Sequence, residues 1–210
     1  MTEKNLKLLK LKDVLSNRSL YSNQSTTVST EIGKRLIRRF DAIKADPNQI
    51  LNIGLSDTDT LEALQKKFPN ASIVCSEPGV SRLNQCTQSS LKVAHHLAKY
   101  PFLSESFDLI FSNLCFHHIN QLSTCFKEIR RLLKPEGMLL FSTYGPDTLT
   151  EIRQAWESVD HDPHVLHFWD MHDLGDLMKY EGFENPVTDT QWLGLDYDNF
   201  ETLWADLKSQ

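Results

Sequence analysis

Several things are scarce in this chain. It has eight glycines in 210 residues. Only one of them, Gly54, follows the first strongly apolar run, Gln49-Ile50-Leu51-Asn52-Ile53. A turn there built on a string of glycines would let the backbone press closely on a ligand. That kind of loop is excluded, because Leu55, Ser56 and Thr58 fill the neighbouring places. The four cysteines, Cys75, Cys86, Cys115 and Cys125, have no CxxC spacing. Three of them lie in apolar runs, the pattern of reduced, buried thiols. No apolar stretch approaches the length of a membrane span, and the polar, lysine-rich start has no run long enough for a secretory signal. A cytoplasmic protein with no membrane partner is expected. Positive charge is also short: the net charge of -6 leaves no overall footprint for nucleic acid.

What is present is an alternation. Apolar runs at 49–54, 71–76, 91–95, 107–112 and 138–143 read as strands, with a further one at 187–195. Between and after them, helical spacing marks 28–43, 59–68, 79–86, 120–134, 147–158, 172–181 and 199–207. Pro135 and Gly137 are expected to stop the helix that ends near residue 134. Strands alternating with helices imply an α/β domain, with a mostly parallel sheet covered by helices on both faces. Residues 1–27, a short leucine-lysine pattern and a polar stretch, read as an N-terminal helix and lid region before a single domain at 28–210.

Four stretches narrow the class. Phe107-Asp108-Leu109-Ile110-Phe111-Ser112-Asn113 and Glu128-Ile129-Arg130-Arg131-Leu132-Leu133-Lys134-Pro135-Glu136-Gly137 resemble the fourth strand and a helix-to-strand turn of the Rossmann-like class I methyltransferases, which use S-adenosylmethionine. Phe141-Ser142-Thr143-Tyr144-Gly145-Pro146-Asp147-Thr148-Leu149 and Phe168-Trp169-Asp170-Met171-His172-Asp173-Leu174-Gly175-Asp176 are more specific. With Glu151-Ile152-Arg153 and Pro186-Val187-Thr188-Asp189, they resemble the BioC-like family, the malonyl-acyl-carrier-protein O-methyltransferases of biotin synthesis. A mitochondrial complex I assembly relative shares part of the pattern. The chain departs from the family at Asn52, where an acid is usual, and in the lost glycines. It has no acid in the His95-His96-Leu97-Ala98-Lys99-Tyr100-Pro101-Phe102 stretch. The family's usual seventh strand is expected to be missing, which would leave a sheet edge uncovered for self-association.

The resemblance implies a site at the carboxyl edge of the sheet, where open α/β sheets bind ligands. Glu77, closing the second apolar run, is implied to hold the two ribose hydroxyls of S-adenosylmethionine; a solvated acid is the plainer reading. Asn52, Gly54, His96, Ser112 and Asn113 are the other cofactor-side candidates. Asp57 either meets the cofactor's ammonium or caps the next helix, with Thr58 and Asp59 as rivals for the cap. Arg153 is the candidate for the malonyl carboxylate by a bidentate bond, against a plain surface arginine. His117 is a second substrate-side candidate, and Tyr21 would be the lid aromatic. Lys34, Arg35, Arg38 and Arg39 are either a docking face for the acidic acyl-carrier protein or a solvated helix face. His117-His118 and the His164, His167, His172 run lack the spacing of a metal centre, so no metal is expected. Asp170 is read as a helix cap beside aromatics that seal the substrate side.

Methylation of a carboxylate needs no general base, since the nucleophile is already ionised at neutral pH. The absence of a catalytic dyad therefore does not count against the reaction. The other reading is a catalytically inactive, methyltransferase-like binding or assembly protein with a weakened cofactor site.

Overall fold

The structure is a computed structural model that describes residues 27–54, 57–77, 91–94, 99–160 and 162–209. Tyr21, His96, Leu55, Ser56, the expected helix at 79–86 and the whole lid region before Thr27 lie outside the described residues.

Helix α1 (Thr27–Arg38) runs into a short 3-10 turn, Arg39–Asp41. Strand β1 (Gln49–Ile53) leads to α2 (Thr58–Lys67), and β2 (Ser72–Glu77) follows. Then come β3 (Leu91–Ala94) and β4 (Phe107–Ser112), a 3-10 turn at Phe116–His118, and α3 (Leu122–Leu132). Strand β5 (Leu133–Phe141) precedes α4 (Thr150–Glu157), α5 (Met171–Tyr180) and α6 (Phe200–Ser209). The five strands form one sheet in the order β3-β2-β1-β4-β5, every pair parallel. The order reverses direction between β1 and β4, the switch point outside whose carboxyl ends open α/β sheets bind ligands.

The inner strands are apolar in unbroken runs because both their faces are covered. Leu51, Ile53 and Ile110 join Phe116, Phe126, Ile129, Leu132, Leu174 and Met178 on one face, under α3 and α5. Ile50, Leu109 and Phe111 join Ile37, Phe40, Leu61 and Leu64 on the other, under α1 and α2. Each fully buried Leu, Ile or Phe contributes about 1.5–3 kcal/mol of transfer free energy. Helices α1 and α2 approach so closely at Gly33 that a Cβ there would collide with Thr60.

Two polar locks hold the sheet ends. At the amino edge, Asp108 accepts the backbone N–H groups of Asn48 and Gln49 and pairs with Lys134 at 2.8 Å. Burial pushes its carboxyl up, but those donors outweigh it and hold the group below its ordinary range. On the β3 side, Glu128 pairs with Arg131 at 2.6 Å and accepts the Tyr100 N–H. Arg131 also donates to the carbonyls of Tyr100 and Phe102.

The structure differs from expectation at several elements: the strand expected at 138–143 runs from Leu133 to Phe141, and the helix expected at 147–158 from Thr150 to Glu157. Helix α3 stops at Leu132, two residues before the predicted end, because Leu133 already pairs with Phe107 in the sheet. The expected helix at 28–43 ends at Arg38 and finishes as a 3-10 turn. The expected strand at 187–195 is not a strand: no strand among the described residues bonds to it, and Val187 and Trp192 are 92% and 76% exposed. No helix among the described residues is long and apolar enough to cross a membrane.

Candidate active site

The carboxyl ends of β1, β2, β4 and β5 bring most of the described candidates to one edge. On the β1–β2 side, Asn52 is fully buried and its Nδ2 donates to the Gly54 carbonyl at 2.8 Å. Gly54 has φ +80°, a left-handed conformation that favours glycine, and its N–H donates to the Ser76 carbonyl. A Cβ at this position would lie 2.9 Å from both Cβ and Sγ of Cys115. The single glycine is thus required twice, for the turn and for the fit against Cys115. Glu77 ends β2 and is 7% exposed. A carboxylate is rarely so deep unless it meets a partner. Beside it the Ser76 hydroxyl is buried with no hydrogen-bond partner among the described residues.

Asp57 is the N-cap of α2, accepting from the Thr60 N–H at 2.9 Å and the Thr60 hydroxyl at 2.7 Å. Ser29 of α1 donates to the same carboxylate at 3.3 Å. That settles the cap among its three rivals; Thr58 is the first helical residue.

On the β4–β5 side, Ser112 donates to the Ile53 carbonyl at 3.0 Å and so ties β4 to β1. Asn113 donates to the Ser29 carbonyl at 2.9 Å and accepts from the Ser142 hydroxyl at 2.7 Å. It thereby straps the start of α1 to the ends of both strands. His117 lies in the turn after β4. Its ring meets Tyr144, past the end of β5, at 4.8 Å and Phe168, before α5, at 6.0 Å; Tyr144 and Phe168 are 5.4 Å apart. Phe168 is buried and the other two are half-buried. Asp170 caps α5 by accepting the His172 N–H.

Arg153 lies on α4. Its terminal nitrogens donate to the carbonyls of Pro146 and Thr148 at 3.2–3.4 Å. The basic run on α1 faces acids: Lys34 meets Asp59, Arg35 and Arg38 both meet Glu31, and Arg39 pairs with Asp189. His164 stacks on Trp156 and bonds Asp160. Cys125 is buried, and burial pushes its thiol up to about 12, which keeps it protonated and unreactive.

The sequence reading missed Ser29, Ser142 and Tyr144. Each lies within three residues of an observed element end, Ser29 at the start of α1 and Ser142 and Tyr144 after β5, and that position was the available signal.

The residues fit S-adenosylmethionine on the ribose side. Glu77 is a buried carboxylate at the strand end where two vicinal hydroxyls would be read. The sheet order, its crossover and this edge define the class I methyltransferase fold. Residues 51–141 match the family described as Methyltransferase domain. The chain resembles phosphoethanolamine N-methyltransferase 2 of Haemonchus contortus, solved with S-adenosylhomocysteine and, separately, with S-adenosyl-L-methionine. In each case the TM-score is 0.57 over 73% of this chain, covering 37% and 36% of those chains at 21% and 19% identity.

The nearer likeness is to malonyl-[acyl-carrier protein] O-methyltransferases. This chain is 34% identical to that of Gallionella capsiferriformans over 88% of its own length and 68% of the relative's. It is 37% identical to the Coxiella burnetii enzyme numbered 1, over 86% and 63%. The chain belongs to the malonyl-[acyl-carrier protein] O-methyltransferase family and spans about two thirds of the length of the curated relatives it matches.

Proposed function

We propose that this chain transfers a methyl group from S-adenosylmethionine to the free carboxylate of malonyl-acyl-carrier protein, a step that serves biotin synthesis in the cytoplasm. The observation that carries this reading is the 34% identity over 88% of the chain to a relative so named. The buried Glu77 at the expected strand end supports it.

When bound, S-adenosylmethionine supplies the electrophilic methyl group. Glu77 accepts from the ribose hydroxyls. Asn52 and Gly54 shape the turn beneath the amino-acid part, and Ser112 and Asn113 fix the floor opposite. His96 is assigned to the cofactor, and Tyr21, the lid aromatic, is the one catalytic candidate; both lie outside the described residues. His117 and Arg153 belong to the acceptor side. No residue has to remove a proton, because the acceptor carboxylate is ionised at neutral pH. The chain contributes alignment and exclusion of water.

The test is direct. The purified chain is incubated with methyl-labelled S-adenosylmethionine and either malonyl- or acetyl-acyl-carrier protein. Label in an alkali-labile ester on the malonyl form only is the expected result. Label on neither, with S-adenosylhomocysteine giving no calorimetric signal at millimolar concentration, would overturn the reading.

A further inference from the structure

The acceptor side has a feature that the sequence motifs do not announce. His117, Tyr144 and Phe168 come from three separate segments, two of them just past strand carboxyl ends, and their rings form a triangle with sides of 4.8, 5.4 and 6.0 Å. The His118 ring lies against His117, tilted, with centroids 3.8 Å apart. The loop carrying Tyr144 is set by its own bonds. Arg153 donates to two of its carbonyls, Thr148 N–H donates to the Gly145 carbonyl, and the Thr150 hydroxyl donates to the Asp147 carbonyl.

Building on the proposed reaction, we infer that His117 and Tyr144 are its specificity-determining residues. They hold one oxygen of the acceptor carboxylate against the Phe168 face, while Arg153 braces the loop that presents Tyr144. The reason is the nature of the nucleophile. A malonyl thioester has one free carboxylate, and that group must attack. A bidentate guanidinium clamp would engage both its oxygens and draw off the electron density needed for attack. The terminal nitrogens of Arg153 are in any case directed at carbonyls. A phenol and an imidazole acting on one oxygen leave the other free. That free oxygen forms the new O–CH3 bond as the S–CH3 bond breaks. The electron pair returns to sulfur, the carboxylate and sulfonium charges cancel, and no proton moves. Two polar groups beside an apolar ring also discriminate against acyl groups that lack the carboxylate, since these offer the phenol and the imidazole no charged oxygen.

The test uses the full chain and three variants: Tyr144→Phe, His117→Gln and Arg153→Lys. Tyr144→Phe keeps the ring and removes only the hydroxyl, so packing is preserved. At saturating S-adenosylmethionine, Tyr144→Phe and His117→Gln should each raise KM for malonyl-acyl-carrier protein about tenfold, the loss of one hydrogen bond to a charged group. S-adenosylhomocysteine affinity by calorimetry should stay within about twofold of the parent. Arg153→Lys, which can still donate to the loop carbonyls, should change KM less than either. A parallel titration of malonyl-pantetheine into the chain saturated with S-adenosylhomocysteine reads the same contact without turnover, and should weaken in the same order. Unchanged KM and unchanged malonyl-pantetheine affinity in both ring variants would overturn the inference. So would a larger effect from Arg153→Lys. A parent chain that binds malonyl-pantetheine in a Tyr144-dependent way yet transfers no methyl group would support the inference while refuting the proposed reaction. A parent that does neither would refute both.

Discussion

The two flanks of the carboxyl edge are built in different ways. On the β1–β2 flank every candidate is part of a strand or the residue after one, and Asn52, Ser76 and Glu77 are buried. On the β4–β5 flank the strand-end residues Ser112 and Asn113 are buried as well. The chemistry-bearing groups beyond them, His117, Tyr144 and Arg153, stand on turns and on the short helix α4, and are half-buried. A ligand that never changes is best read by groups whose positions the sheet dictates. An acceptor that differs between relatives is best read by loops, which tolerate substitution without disturbing the sheet. The contrast predicts that cofactor-side substitutions act through affinity or folding, and acceptor-side ones through KM.

The largest effect should come from Glu77. Replacing it by alanine removes the carboxylate that the proposed reading assigns to the two ribose hydroxyls, so S-adenosylhomocysteine affinity should fall about a hundredfold or more, read by calorimetry. A loss under about threefold would show that this flank does not read the ribose, and the distinction between the flanks would fail. Gly54→Ala comes next. It forces an alanine to φ +80° and into Cys115, which should cost about 2 kcal/mol of folding stability in a denaturant titration. A variant as stable as its parent would mean that the turn is not fixed by this glycine.

Much of this was readable in advance, and unevenly so. The β4 range was predicted to the residue, because its middle, Leu109-Ile110-Phe111, is apolar on both faces and polar residues flank Phe107–Ser112. The caps at Asp57 and Asp170 followed from local chemistry. The failures involve distant partners. Val187 to Leu195 has strand-like spacing, but a strand exists only where another one bonds to it, and none does among the described residues. The Pro135-Glu136-Gly137 signal was placed as a helix stop, whereas pairing of Leu133 with Phe107 had already drawn the chain into the sheet. The basic run on α1 was visible as charge, but Asp59 and Asp189, which face it, are remote in sequence. The ring triangle needs three segments at once, and no local pattern encodes that.

Asn113 tests how far the flanks depend on each other, since it ties Ser29 of α1 to Ser142 after β5. Asn113→Ala leaves a carbonyl and a hydroxyl without their partner and should cost about 1–2 kcal/mol. Hydrogen exchange should quicken in the first turn of α1 while β1 and β2 stay protected. Equal loosening of β1 would mean that the strap supports the whole edge.

The smallest effect concerns pH and separates the flanks by chemistry. Glu128 and Arg131 brace the segment from Tyr100 to Phe102, which follows β3 on the cofactor flank. The Arg131 guanidinium holds the Glu128 carboxyl below its ordinary value of 4.5; burial opposes this and the Tyr100 N–H assists it. A carboxyl depressed on folding stabilises the fold at pH values above its unfolded value. That contribution is lost as the pH falls through the lower, folded one. Thermal midpoints of the parent and of Glu128→Gln should therefore differ most at neutral pH and converge on acidification below 4.5. Among the described residues the acceptor flank shows no such carboxylate pair bracing the Tyr144 loop, whose ties include Arg153 and the Thr150 hydroxyl, both donating to backbone carbonyls. If the gap between the two midpoints stays constant down to the acid limit of folding, the brace is electrostatically silent, and the rigidity of the cofactor flank rests on its buried strands alone.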